Sequence, residues 1–243
     1  MMLTKTKAII LHSIKYGDTG VIAYVYTLHY GRLSLLVQGV RKKNARIRLN
    51  NLQPLQVLDI DFYYKEKNEM HRLKELKPVL SQDSILFDIN KTTVALFVAE
   101  ILYKTLKEHV NNETLFYFLV KKIEELELLK ENLSLFHIQF LFDFTLYLGF
   151  FPNSDNIETS AYFNMREGIF TRLKPGHEFY VTGELLDYFR KMFYREDTIA
   201  EKERIPVFYR NELLNILLDY YLLHIDTFGN LKSLSVLKDV FHS

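Results

Sequence analysis

The chain has 243 residues, of which 48% are hydrophobic, 14% aromatic and 25% charged, and its formal net charge is +1. That is enough apolar material for one large or two modest folded domains. With no Cys, disulfides, thiolate catalysis and Cys-ligated zinc or iron–sulfur sites are excluded, which fits a reducing cytoplasm. No charge-free run of about eighteen apolar residues is available to span a membrane, and Met1 to Lys5 lacks a secretory core, so neither a membrane contact nor a leader is expected.

The first eighty residues read as short strands. Lys7 to Ile14, Val21 to Leu28 and Leu33 to Val40 are rich in Ile, Val and Tyr and are separated by turn residues such as Gly17-Asp18 and Gly31. Leu58, Ile60, Phe62 and Tyr64 then alternate with Asp59, Asp61 and Tyr63, the period of a half-buried strand, and a fifth strand is expected from Glu69 to Leu76. Five short strands with little room for helix favour a closed barrel, which removes exposed edges. The expectation is an α+β chain: an OB-fold barrel over residues 1–80, followed by an all-helical domain over 81–243.

Beyond Pro78 the period changes. Val94, Phe97, Val98, Ile101, Leu102 and Leu106 fall on one face of a helix. Glu113 to Leu129 forms another, with Lys121, Lys122, Glu124, Glu125 and Glu127 assigned to a solvated face. A third runs from Leu133 to Leu148, with Asn132 as its N-cap and Gly149 as its stop before Pro152. Phe140, Phe144, Tyr147 and Phe151 share one side of it as core, whereas Phe142 points elsewhere. From 151 to 181 the periodicity lapses into an irregular excursion, after which helices resume near Gly183 to Phe193, Tyr209 to His224 and Leu231 to Phe241.

Charge is the feature with chemical content. Residues 1–80 hold fourteen Lys or Arg against six Asp or Glu, a surplus of +8, and the remaining residues carry −7. Between Asp18 and Asp59 there is no acid, yet Arg32, Arg41, Lys42, Lys43, Arg46 and Arg48 all lie there. Several cations without a competing carboxylate suit a polyanion, because each neutralised phosphate releases a counterion. The Arg41 to Arg48 run falls between the third and fourth strands, on a connecting loop of the barrel, where OB-folds take single strands. Tyr16, Tyr24, Tyr26, Tyr30 and His29 offer stacking surfaces or, more ordinarily, barrel packing. Enzyme signatures are missing: no Walker A loop, dinucleotide fingerprint, nucleophile elbow or zinc-protease motif occurs, and no two His have i, i+4 spacing. No enzymatic activity, cofactor or metal is expected.

Lys7-Ala8-Ile9-Ile10-Leu11, Tyr16-Gly17-Asp18-Thr19, Tyr30-Gly31-Arg32-Leu33-Ser34, Gly39-Val40-Arg41-Lys42-Lys43 and Leu52-Gln53-Pro54-Leu55, in that order and spacing, resemble the amino-terminal domain of the RecO family of recombination mediators. Leu231-Lys232-Ser233-Leu234 is similar to that family's closing segment. The resemblance implies an OB-fold and a helical domain. It also implies DNA repair and recombination by binding single- and double-stranded DNA, annealing complementary strands and, with RecR, assisting RecA onto DNA covered by single-strand-binding protein. Arg32, Arg41, Lys42, Lys43, Arg46 and Arg48 would be the DNA contacts. The acidic tail of single-strand-binding protein would meet the helical domain, and the protein would be cytoplasmic and nucleoid-associated. Many members insert a four-cysteine zinc module where residues 151–181 stand. This chain has no such ligands, so packing of Tyr162, Phe163, Ile169 and Phe170 is expected to hold that segment. Two rival readings are a protein-interaction adaptor working through the helical half and an RNA-binding OB protein.

Overall fold

A computed structural model describes residues 2–42, 45–107, 111–194 and 205–241, which fall into two compact units, Met1–Leu129 and Lys130–Ser243. In the first unit, β1 (Met2–Tyr16), β2 (Gly20–Thr27), β3 (Gly31–Val37), β4 (Val57–Tyr64) and β5 (Met70–Pro78) close a barrel in the order β1-β2-β3-β5-β4. This is the expected OB-type arrangement. All pairings are antiparallel except a short parallel one, in which Ser34, Leu35 and Leu36 face Met70, His71 and Arg72. β1 serves both neighbours: Met2 to Ile9 pair with β4 and Ala8 to Tyr16 with β2. A register shift between Ile10 and His12 gives the local bend such a strand needs. Alternate residues, among them Val25, Leu35, Leu58 and Phe62, fill the interior.

Helices α1 (Asp83–Phe87), α2 (Ile89–Thr105) and α3 (Glu113–Leu128) belong to the barrel's compact unit. Buried Gln82 secures their start: its Nε2 donates to Leu55 O at 2.9 Å and its Oε1 accepts the Val57 N–H at 3.0 Å. The five-residue α1 is too short to show a period. Its free N–H groups are met by Glu127 of α3, whose carboxylate oxygens accept from Ser84 N and Ile85 N at 2.8 Å each. Lys91 Nζ donates to Glu127 O at 2.6 Å and to Ser84 Oγ at 2.8 Å. Glu127 is therefore a long-range cap rather than part of a solvated face.

In the second unit α4 (Leu133–Leu148) stops at Gly149, whose φ of 84° favours glycine, and Asn132 precedes it at φ 57°. Phe140 and Phe144 stack at 5.5 Å, but Phe142 is buried too, against Phe151, Phe189 and Phe193 at 5.2, 5.7 and 4.9 Å. α4 is thus enclosed on more than one side. Within 151–181 lie three short antiparallel strands, β6 (Tyr162–Asn164), β7 (Ile169–Thr171) and β8 (Tyr180–Thr182), ordered β7-β6-β8. Phe163 and Phe170 are buried, with Phe163 4.7 Å from Phe189, whereas Ile169 is exposed. α5 (Glu184–Lys191), α6 (Val207–His224) and α7 (Ser233–Phe241) complete the unit. Arg190 of α5 ties down the preceding loop, its Nε donating to Ile157 O at 2.8 Å and its Nη2 to Ser160 O. Among the described residues no helix is long and apolar enough to cross a membrane.

On α6, Tyr220 Oη donates to Phe150 O and Tyr221 Oη to Leu141 O, both at 2.8 Å. Burial pushes both hydroxyls above the ordinary tyrosine value, and the nearby Asp143 carboxylate adds to the effect at Tyr221. Unfolded tyrosines ionise near pH ~10. Above that pH the unfolded state binds fewer protons than the folded one, so the contribution, full below pH ~10, is lost as pH rises. Urea unfolding of the full chain should show stability falling above pH ~10, more steeply than in a Tyr220→Phe/Tyr221→Phe variant. Equal slopes would contradict this account.

Candidate nucleic-acid interface

The β3–β4 connection is a long loop with apolar anchors. Gly39, at φ 74°, turns the chain out of β3 and Val40 is buried. Arg41 N then donates to Thr19 O at 3.4 Å and Lys42 N to Gly39 O at 3.2 Å. Ile47 packs against the barrel core, leaving Arg46 and Arg48 on either side of it exposed. A 3₁₀ turn over Leu49–Leu52 follows, with Leu52 buried and its carbonyl accepting from Ser13 Oγ at 3.1 Å. Leu55 is buried in the left-handed region at φ 64°, where its N–H meets Ile10 O at 2.8 Å while Ile10 N donates to Gln56 O at 3.0 Å. Alternation of buried apolar and exposed charged residues thus turns the cations outward.

The individual cations differ. Arg41, Lys42 and Arg48 are exposed and, among the described residues, form no ion pair; Lys43 lies outside the described residues. Arg46 Nη2 sits 2.8 Å from Glu75 Oε1 of β5. Both groups are largely in solvent, so the pair is weak and readily exchanged. Lys42 borders a cleft of about 420 Å³ that runs between the β1–β2 turn, Tyr16 to Gly20, and Leu36, Gln38 and Gly39.

Arg32 stands apart from the loop. Its Nη1 donates to Tyr103 O at 2.9 Å and Leu106 O at 3.1 Å, and its guanidinium lies 4.3 Å from the Tyr103 ring and 5.4 Å from that of Tyr24. Those carbonyls belong to the end of α2, where the helix leaves acceptors without partners and carries partial negative charge. Arg32 therefore fastens α2 to the barrel. Tyr24 also packs edge-on to Tyr103 at 5.2 Å, and Tyr30 on Phe62 and Tyr64 at 5.7 and 5.0 Å. Tyr26 is buried, and that burial raises the pKa of its hydroxyl. His29 lies 3.6 Å from Glu113. Of the four tyrosines read as stacking surfaces, Tyr16 is the exposed one.

Elsewhere on the barrel, charge is balanced across strands: Lys5 meets Asp61 at 3.3 Å and Lys7 meets Asp59 at 2.9 Å. One exposed cation that sequence reasoning passed over is Arg72 of β5, which the parallel register sets opposite Leu36. Its signal was the alternation of His71 and Leu73 with Arg72 and Lys74, buried and exposed in turn. Among the described residues no group of three or more His, Asp or Glu is placed to hold a metal.

Residues 1–82 match the family model described as Recombination protein O N terminal, and residues 86–235 match Recombination protein O C terminal. Among curated relatives, a DNA repair protein RecO of Bacteroides fragilis is 36% identical over 245 residues, covering 99% of this chain and 100% of that protein. The proteins of the same name from Phocaeicola vulgatus and Flavobacterium psychrophilum are 33% and 34% identical, each over 99% of this chain and 100% of their own length.

The geometry separates Arg32 from Arg41. Arg32→Ala strips two charge-assisted hydrogen bonds from a helix end and should lower unfolding stability by about 1.5–3 kcal/mol. Arg41→Ala should shift it by less than about 0.5 kcal/mol. Denaturant unfolding of the two variants checks this, and equal effects would refute the distinction.

Proposed function

The chain belongs to the RecO family and acts in DNA repair and recombination; on that premise we propose that it binds single- and double-stranded DNA through its barrel and anneals complementary strands. In the same proposal it works with RecR to assist RecA onto DNA covered by single-strand-binding protein, whose C-terminal tail it contacts. The division of labour gives residues 1–80 to DNA and 81–243 to protein partners, in a cytoplasmic, nucleoid-associated protein.

The observation that carries the DNA-binding part is the pinned loop, in which Val40, Ile47 and Leu52 turn inward and Arg41, Lys42, Arg46 and Arg48 face solvent. We assign the phosphate contacts to these four and Lys43. Arg32 joins them only at the expense of its bonds to the α2 end. Annealing by this route involves no bond-making: cations that neutralise phosphates on two strands lower their mutual repulsion and let complementary bases pair.

If about four cations engage phosphates, log affinity for single strands falls against log salt with a slope of roughly −3, at about −0.7 per contact. Arg41→Glu, Lys42→Glu and Lys43→Glu together should weaken binding to all sequences and flatten that slope, as fluorescence anisotropy over a salt series would report. A folded triple variant with undiminished affinity at low salt would overturn the assignment of the loop.

A further inference from the structure

Among the described cations of the β3–β4 loop, Arg46 is the one bound to a carboxylate of another element. Glu75 of β5 reaches it because β5 carries an extra residue: Asp61 is opposite Glu75 and Phe62 is opposite Leu73, so Lys74 is skipped in the register. Such a bulge breaks a strand's alternation and re-aims the side chains beyond it. His71 and Leu73 are buried while Arg72 and Lys74 are exposed, and strict alternation would turn Glu75 inward; the extra residue leaves Lys74 and Glu75 both facing solvent. Carboxylates directly opposed across an antiparallel pair repel, and each of these two has its own cation. Lys5 lies 3.3 Å from Asp61, and Arg46 Nη2 lies 2.8 Å from Glu75 Oε1. Next to Arg46 the backbone is anchored by Ile47 on the core, yet the Arg46 side chain is 72% exposed and that of Glu75 49%. A phosphate can therefore reach the guanidinium by displacing the carboxylate alone.

Resting on the DNA-binding reading above, we propose that Glu75 is an internal competitor for the phosphates of a bound strand, a tuning residue that lowers the loop's affinity for DNA by holding Arg46 in an ion pair. The exchange is electrostatic and breaks no covalent bond. Arg46 leaves one oxyanion for another, and Glu75 is left facing Asp61 and solvent. An exposed pair of this kind is weak, whereas each phosphate neutralised on a polyanion releases condensed counterions. DNA therefore prevails at low salt, and the carboxylate reduces its gain. The neighbouring cross-strand pairs differ in kind: Lys5 and Lys7 belong to β1 and are matched by Asp61 and Asp59 of β4, so neutralising either of those acids frees no loop cation. Arg41, Lys42 and Arg48, exposed and without an ion pair among the described residues, are open to phosphate whether or not Arg46 is held.

Glu75→Gln in the full-length chain keeps the side chain's size and removes its charge. Anisotropy of a labelled single-stranded oligothymidine should show affinity about two- to fivefold above wild type at low salt, the span of an exposed ion pair. The advantage should fade as salt rises, because the pair that the substitution removes is itself screened. In an Arg46→Gln background the same change should add much less, since the competitor then has no guanidinium to withhold. An equal gain in both backgrounds would mark a general change of charge and overturn the proposal. So would unchanged or lower affinity in a Glu75→Gln chain whose urea midpoint matches wild type. The two readings fail separately: if Glu75→Gln is neutral while the Arg41→Glu, Lys42→Glu and Lys43→Glu chain binds weakly, the loop stands and the competitor falls, whereas a wild-type chain that binds no DNA overturns both.

Discussion

Pairing of β1 with two neighbours is the constraint on which the first compact unit depends. The strand is 15 residues long, and its two halves are bonded to β4 and β2 respectively, overlapping at Ala8 and Ile9, with a register shift in the β2 pairing just beyond, between Ile10 and His12. Because side chains alternate along each strand, that pairing decides at once which residues fill the interior and which stand outside. The same region anchors the long loop, since Ile10 exchanges backbone hydrogen bonds with Leu55 and Gln56, and Ser13 holds the Leu52 carbonyl. Slipping β1 by one residue would misplace the core, the strand's outward residues and the loop's anchors together.

Two arginines of similar sequence context end in different environments for this reason. Arg32 lies on a strand, on the outward side opposite Tyr26, where α2 and α3 cover the sheet. Its charge is consumed by the carbonyls of a helix end. Arg41 comes just after the strand closes, where the backbone is tied to Thr19 but the side chain reaches solvent. Position relative to the covering helix, and not proximity in sequence to other cations, determines which charge is available to a ligand.

The barrel was legible because five runs of alternating or β-branched residues were punctuated by Gly and Asp, and helices α2 to α6 because each is long enough to show a period or carries a stop. Short elements were not: α1 has five residues and the strands of the second sheet three each. The basic stretch was legible as a loop, but its freedom from carboxylates holds only along the chain. Glu75 arrives beside Arg46 through β5, 29 residues later, and the acceptors of Arg32 lie 71 and 74 residues away. Glu127 and Phe142 were misread for a related cause. A helical wheel shows which residues share a face but not how many faces are covered, and both found partners on a side expected to be open.

The charge distribution then takes on a more specific meaning than a surplus of +8. On the β1–β4–β5 side, Lys5 and Lys7 are matched by Asp61 and Asp59, and such exposed pairs contribute little to stability. Their effect is to cancel the field on that face. On the β3–β4 loop and on β5, Arg41, Lys42, Arg48 and Arg72 have no such counterpart among the described residues. A barrel whose cations were spread evenly would attract DNA in any orientation. Under the DNA-binding reading proposed above, cancelling charge on one side and leaving it open on another gives the barrel a preferred face for a polyanion.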